Sequence, residues 1–365
     1  MAEQPDWRRI ADMRLSEWTP MSQLRAPETS VERSAVPCID VHNHLGRWLS
    51  GGDWQAGTAP WIIDDAGALV DLMDERNVET VVNLDGMWGE EVTANVRRYD
   101  ESHPGRFLTF CQLDWSVLAQ PNGVAQLIAS LEDSVARGAR GVKVWKTLGL
   151  HVRDADGTLI RPDDPRVIEV LSAAGDHGLP VLIHTADPVA FFQPVDAFNE
   201  RVDELSRIPE WWFGDSSRFP TFDTLLDCHA RLVLSCPGTR FIGAHVGCAA
   251  EDLDRVELLL AAAPNYAVDI AGRMAEIGRQ PRRFTAMLER FGDRVLFGTD
   301  IYPATDEQFR LHFRFLETED ESFDYDPGSP IPGQGRWKVS ALALEGDQLR
   351  RVYRENALTV LGLNG

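Results

Sequence analysis

The sequence predicts an α/β chain closed into a (β/α)8 TIM barrel, with an N-terminal arm and an insertion between strands five and six. Three observations predict it. Eight short apolar runs recur along the 365 residues, helical spacing of apolar residues separates most of them, and four runs end in a residue type that binds metals. Strands alternating with helices imply a parallel sheet with right-handed crossovers. Eight such units imply a closed barrel whose site lies at the C-terminal ends of the strands.

The strand-like runs are residues 36–41, 80–84, 107–113, 141–145, 180–183, 240–244, 266–270 and 294–298. They are short, continuous and bounded by turn residues, as expected of parallel strands buried on both faces. Helical patterns occupy 61–76, 123–137, 165–177, 249–263 and 275–291, each before a further strand. A last pattern, 347–363, reads as a closing helix. Residues 1–35 form a charged, Trp-bearing arm expected to wrap the barrel or a neighbouring subunit. The barrel domain is expected over 36–365, including an insertion at about 186–239. That segment is too long for an ordinary loop plus helix, and loops of this length carry function or their own structure. Its aromatics Phe191, Phe192, Trp211, Trp212 and Phe213 read either as an apolar wall for a planar ligand or as the insertion's own core or a subunit contact. Residues 320–337, acidic and rich in Pro and Gly, read as a loop after strand eight that shapes the mouth.

The most informative stretch is Asp40-Val41-His42-Asn43-His44. On a strand, residues i and i+2 share a face, so His42 and His44 point the same way. His184, His245 and Asp300 close the fifth, sixth and eighth runs. Taken singly, each histidine reads as a satisfied core imidazole and Asp300 as a helix cap. Their recurrence at four strand ends, all on one edge of a barrel, points instead to a shared metal site. Lys143 lies inside the fourth run, and a buried lysine needs a partner or a chemical role.

This ordered set resembles the amidohydrolase superfamily. The details are similar to the amidohydrolase-related branch that includes aminocarboxymuconate semialdehyde decarboxylase. The resemblance rests on Ile39–His44, Val181–Thr185, Gly243–Gly247 and Leu296–Asp300, and covers roughly residues 36–362. It implies that His42, His44, His184 and Asp300 bind a divalent metal. It implies zinc first, with manganese as the alternative, and one ion per chain ahead of two. His245 is then a catalytic acid or base; in a binuclear site, His245 and a carboxylated Lys143 would hold the second ion. Three nitrogens and one carboxylate leave an open position for water or substrate.

Such an ion lowers the pKa of water to about 7 and polarises a carbonyl. Asp300 can take a proton from that water, and His245 can stabilise an oxyanion or protonate a leaving group. Hydrolysis of an amide, lactone or related bond is the first reading. A nonoxidative decarboxylase using the same mononuclear site is the second, and the ligand set does not separate them. A barrel used only for binding is the third, and the complete ligand set argues against it. Arg47 and Trp48 follow the His-x-His, and Arg273 follows the seventh strand. Arginine binds carboxylates through paired hydrogen bonds, so a small carboxylate-bearing substrate is expected. For Arg47 and Arg273 the alternative is a loop ion pair. Lys146 either points into the mouth or is a solvated strand end.

A net charge of −21 argues against nucleic-acid partners and a simple electrostatic membrane contact. No apolar run approaches ~20 residues, so no span is expected. The first 27 residues lack the apolar core of a signal peptide, which makes the cytoplasm the expected location. Five scattered cysteines show neither metal spacing nor a disulfide framework. A homodimer is compatible with such a barrel.

Overall fold

The structure, a computed structural model, describes residues 6–47, 49 and 59–363. Eight parallel strands follow one another: β1 (Cys38–Asn43), β2 (Val78–Asn83), β3 (Phe107–Thr109), β4 (Val142–Val144), β5 (Val181–Ile183), β6 (Phe241–Gly243), β7 (Tyr266–Asp269) and β8 (Val295–Leu296). Continuous pairing runs from β1 to β3 and from β4 to β8. Backbone hydrogen bonds bridge both gaps. Cys111 N donates to Gly141 O at 2.9 Å and Lys143 N to Cys111 O at 2.7 Å, joining β3 to β4. Val41 N donates to Phe297 O at 3.0 Å and Asp300 N to His42 O at 2.8 Å, joining β1 to β8. The sheet is therefore a barrel, as the alternation of runs and helices predicts.

Its interior is filled by Ile39, Val41, Val82, Leu84, Phe110, Leu182, Ile242, Ala244, Ala267 and Leu296. Ala357 and Leu361 of the closing helix join that cluster. A second core packs the outer face of the strands against the helices. Fully burying one such side chain is worth about 1.5–3 kcal/mol. Helix Pro165–Asp176 shows the local logic. Asp164 caps it, Pro165 supplies the fixed φ of a first turn, and Val167, Val170, Leu171 and Ala174 make the buried stripe. All five cysteines are buried and free.

Four helices differ from their predicted bounds by more than one residue. The pattern at 61–76 becomes a helix only from Ala66, where Asp65 caps it by accepting from Gly67 N and Ala68 N. The helix expected from residue 249 starts at Leu253, because His245, Val246 and Cys248 have positive φ and form a turn after β6. The pattern at 275–291 splits into Met274–Ile277 and Pro281–Phe291, since Pro281 has no N–H to continue the earlier turn. The closing pattern begins at Gly346, widens into a π turn at Arg351–Glu355, and ends at Leu361.

Between β5 and β6 the insertion carries helices Val202–Arg207 and Phe222–Ser235. Its aromatics pack on one another: Phe192 and Phe213 rings lie 5.4 Å apart and Phe213 and Phe219 rings 5.1 Å. The N-terminal arm is largely exposed. It is tied down where Thr29 donates to Asp320 and where Arg336 donates to the carbonyls of Leu15 and Trp18. Among the described residues, no helix is long and apolar enough to cross a membrane.

Asp40 holds the β1–β8 seam from inside. One of its oxygens accepts from His42 N and Thr299 N, the other from Asn43 Nδ2 and from the Thr299 hydroxyl. Burial pushes its pKa up to about 6, against the pull of these hydrogen bonds. Asp40→Ala leaves buried donors unsatisfied. It is expected to cost about 3 kcal/mol, read by urea unfolding; a loss below about 1 kcal/mol would show that the seam does not depend on this carboxylate.

Candidate metal centre

His42 and His44 leave β1 on the same side, as their spacing requires. Their Nδ1 atoms point away from the mouth, each toward a buried carboxylate. His42 Nδ1–H donates to Asp269 Oδ2 at 2.8 Å, and His44 Nδ1–H donates to Asp85 Oδ1 at 2.7 Å. Each bond fixes the ring and leaves Nε2 directed inward. Asp269 and Asp85 are themselves anchored. The second oxygen of Asp269 accepts from the backbone N–H of His245 and Ala271. The second oxygen of Asp85 accepts from Gly46 N.

Asp300 faces the two inward nitrogens. Its Oδ1 lies 3.7 Å from His42 Nε2 and 3.4 Å from His44 Nε2. Donor atoms of His42, His44 and Asp300 all lie within 4.8 Å of one another. Among the described residues the other such group is His42, His245 and Asp269. His184 stands apart from both. Its Nε2 is buried without a hydrogen-bond partner, 3.3 Å from Asp187 Oδ1, and its ring centroid is 4.5 Å from that of His245. Two inward imidazole nitrogens, a facing carboxylate and an orphaned third imidazole suit a divalent cation. The donor set thus fits the ion that the sequence pattern implies.

The electrostatics agree with that fit. Burial lowers the affinity of His44 for a proton, but Asp85 and Asp300 more than offset this and raise its pKa to about 9. Burial and then Lys143 lower the pKa of His42, against Asp269. Burial raises Asp300, yet His42, His44 and Lys143 hold its carboxyl well below the usual range. Burial pushes His184 down to about 3 and His245 well below its ordinary value. Lys143, fully enclosed with Nζ 3.2 Å from His42 Nε2, is pushed down to about 8 by burial.

His245 sits on the turn after β6. Its Nδ1–H donates to Ala271 O at 2.8 Å, so Nε2 is free, 3.9 Å from Asp300 Oδ2. Arg273 is buried beside it, with one N–H bonded to Gly272 O at 2.8 Å. Arg47 is bound twice by Glu91, at 2.9 and 2.6 Å, and stacks 4.5 Å from the Trp61 ring. Its charge is thus answered by Glu91, the loop ion pair that the sequence left open. Lys146 pairs with Asp187, and its Nζ lies 5.0 Å from the Trp211 ring of the insertion. Trp145 and Tyr302 rings flank His44 at 5.2 and 5.3 Å. Trp48 lies outside the described residues.

Three carboxylates of the site were missed by the sequence reading: Asp85, Asp269 and Asp187. Asp85 directly follows the second apolar run, as His184 follows the fifth, so the same signal marked it. Asp269 lies inside the seventh run, where a buried charge, like that of Lys143, calls for a partner. Asp187 lies three residues past His184, in a loop whose path the sequence does not reveal.

A family model described as Amidohydrolase matches residues 39–363. No curated protein matches the chain. The 2,6-dihydroxybenzoate decarboxylase from Rhizobium is similar in structure, with 16% identity and a TM-score of 0.54 over 90% of this chain and 100% of that one. The dihydroxybenzoic acid decarboxylase from Polaromonas sp. JS666, solved with manganese and 2-nitroresorcinol, gives 15%, 0.56, 90% and 98%. An uncharacterised TIM-barrel protein from Bordetella bronchiseptica gives 14%, 0.55, 89% and 98%. At these identities the likeness is one of fold.

A cation entering the group must displace the proton that His44 keeps up to about pH 9. Zinc affinity, measured by competition with a chromophoric chelator, should therefore rise about tenfold per pH unit from about pH 7 toward 9. A flat profile would contradict this protonation state.

Proposed function

This chain belongs to the amidohydrolase family, and from that premise we propose that it is a metal-dependent hydrolase of a small, carboxylate-bearing substrate. The observation that carries the proposal is the inward group of His42, His44 and Asp300, with both imidazoles oriented by buried carboxylates. These residues, completed by His184, would hold one divalent ion, zinc first and manganese as the alternative. When bound, such an ion polarises a carbonyl and lowers the pKa of water to about 7.

The chain's own groups supply the rest. Asp300 is ionised and its oxygens face His44 and His245, so it can accept a proton at Oδ1 or Oδ2. His245 is a neutral base at Nε2, held in that tautomer by Ala271 O. It can take the proton onward and deliver it to a leaving group. Arg273, buried next to His245 with a single backbone bond, is suited to a substrate carboxylate. With Arg47 bonded to Glu91, Arg273 is the stronger candidate of the two. Lys146, held by Asp187 at the edge of the insertion, would contact a more distant part of the substrate. Trp145 and Tyr302 narrow the space around His44 and limit water.

A second reading, nonoxidative decarboxylation, is favoured by the burial of Arg273 near His245. An acid held there would lose CO2 as its C–C bond breaks, and the carbon would take the proton that His245 Nε2 has first accepted from a substrate hydroxyl or from water. Two structural relatives are decarboxylases, which lends the same reading support. The setting we propose is the cytoplasm, on a small molecule, by a chain that acts alone or as a homodimer. The net charge of −21 supports a substrate other than nucleic acid.

The test begins with metal per chain by mass spectrometry, on protein purified without chelator or a metal-binding tag. About one zinc or manganese is expected, and active metal-free protein would overturn the proposal. The loaded protein is then offered amides, lactones and hydroxylated ring acids. Hydrolysed product supports the first reading; carbon dioxide without it identifies the second. On the substrate so found, Arg273→Ala should raise KM about 30-fold, the loss of about 2 kcal/mol of charged hydrogen bonding. His245→Ala should keep its metal and lose about 10²–10⁴ in kcat. An unchanged KM in the first variant removes Arg273 from the site.

A further inference from the structure

His229 is a buried histidine that the proposed chemistry does not use. It stands on helix Phe222–Ser235 of the insertion, and both its nitrogens are bonded to hydroxyls. Nδ1 is 2.7 Å from Thr185 Oγ1, and Nε2 is 2.9 Å from Tyr266 Oη. Thr185 directly follows His184, while Tyr266 opens β7. The imidazole thus crosses from the end of β5 to β7.

Tyr266 reaches further. Its hydroxyl is so close to the backbone that a Cβ added at Gly243 or Gly247 would lie 2.0 or 2.5 Å away. Those two glycines bracket the turn that carries His245. Within it His245 and Val246 have φ of 59° and 58°, and Cys248 has φ of 61°. A β-branched residue in that region is strained and persists only when its surroundings hold it. Cys248 then closes the ring of contacts, since its Sγ accepts from Thr185 N at 3.4 Å.

We infer that His229 is a positioning residue that locks the turn of His245 to the strand end of His184. The inference rests on the proposed roles of those two histidines. Their ring centroids are 4.5 Å apart, and a loop tying Thr185, His229, Tyr266 and the 243–248 turn together sets that spacing. Hydroxyls occupy both nitrogens, so the ring has no lone pair for a metal. A hydroxyl can donate or accept, so the neutral imidazole satisfies both contacts with one nitrogen donating and the other accepting. The groups hydrogen-bonded to it are the two hydroxyls, and burial alone pushes its pKa down to about 4, so the brace does not titrate near neutrality. It also ties the insertion to the barrel mouth: a movement of helix Phe222–Ser235 is passed directly to both histidines.

The test uses the full chain as His229→Leu, His229→Gln and Tyr266→Phe. Leu removes both bonds, whereas Gln can still reach Tyr266. Hydrogen–deuterium exchange by mass spectrometry should rise about tenfold at 184–187 and 243–249 in the Leu and Phe variants, with 38–44 and 295–300 unchanged. Zinc affinity should fall about tenfold in the same two variants and less in Gln, the size expected of an outer partner of a ligand. Unchanged exchange at either segment would overturn the inference. So would a uniform rise across the barrel that tracks a lowered Tm with no rescue by Gln. If the unaltered protein binds no zinc, the site reading fails, while exchange still decides the brace.

Discussion

Two buried carboxylates, Asp85 and Asp269, are the constraint on which the site depends. A histidine with a free Nδ1 can rotate and exchange tautomers. Bonded to a carboxylate at 2.7–2.8 Å, each ring of the His-x-His is left with one orientation and its Nε2 directed inward. These carboxylates come from strands on either side: Asp85 follows β2, and Asp269 ends β7, beyond β8. Only a closed barrel brings β7 and β2 to opposite flanks of β1. The seam bonds between β1 and β8, and the Asp40 contacts beneath them, therefore position the candidate site as well as hold the fold.

Placing Asp85, Asp269 and Asp300 near one another is unfavourable without compensation, because buried charge must be paired. The chain offers Lys143 and, below about pH 9, a protonated His44. His42, His44 and Asp300 would hold a divalent ion, whose charge would serve in place of that proton. Backbone strain is concentrated in the same place. Asp300 has φ of 57° and His245 of 59°, conformations that cost energy in residues other than glycine. At Asp300 the backbone N–H compensates by donating to His42 O at 2.8 Å. The strained residues face the oriented ones, as expected where geometry serves binding more than stability.

Much of this was legible in the sequence, for physical reasons. Parallel strands buried on both faces leave continuous apolar runs, and their polar ends mark the mouth; all eight runs correspond to strands of the barrel. His-x-His was readable because a strand has period two. What was not legible depended on partners brought from far along the chain. Nothing local tells that Arg47 meets Glu91, or that Asp85 and Asp269 lie behind imidazoles. The start of the helix at Leu253 was misplaced because a left-handed turn at His245–Cys248 has no glycine signature beyond Gly247. The insertion announced itself by length and aromatics, but its contact with Lys146 through Trp211 required the fold.

The bonds of Asp269 bear on whether one ion or two is the better proposal. A second ion would draw on His245 and a carboxylated Lys143, and among the described residues the donor group that joins His245 to His42 is completed by Asp269. Asp269 already accepts from His42 Nδ1, His245 N and Ala271 N, so its oxygens serve as an anchor. Turning them to a metal would release the His42 ring and the backbone under His245 together. His245 in turn gives Nδ1–H to Ala271 O and keeps Nε2 toward Asp300. A base fixed in one tautomer, beside an ionised carboxylate and a buried arginine, is arranged for moving protons. The hydrogen-bond pattern thus favours one ion and a free His245. On that arrangement hydrolysis would break a C–N or C–O bond with water and decarboxylation a C–C bond without it, and His245 would pass its proton to the leaving group in the first and to the carbon that loses CO2 in the second.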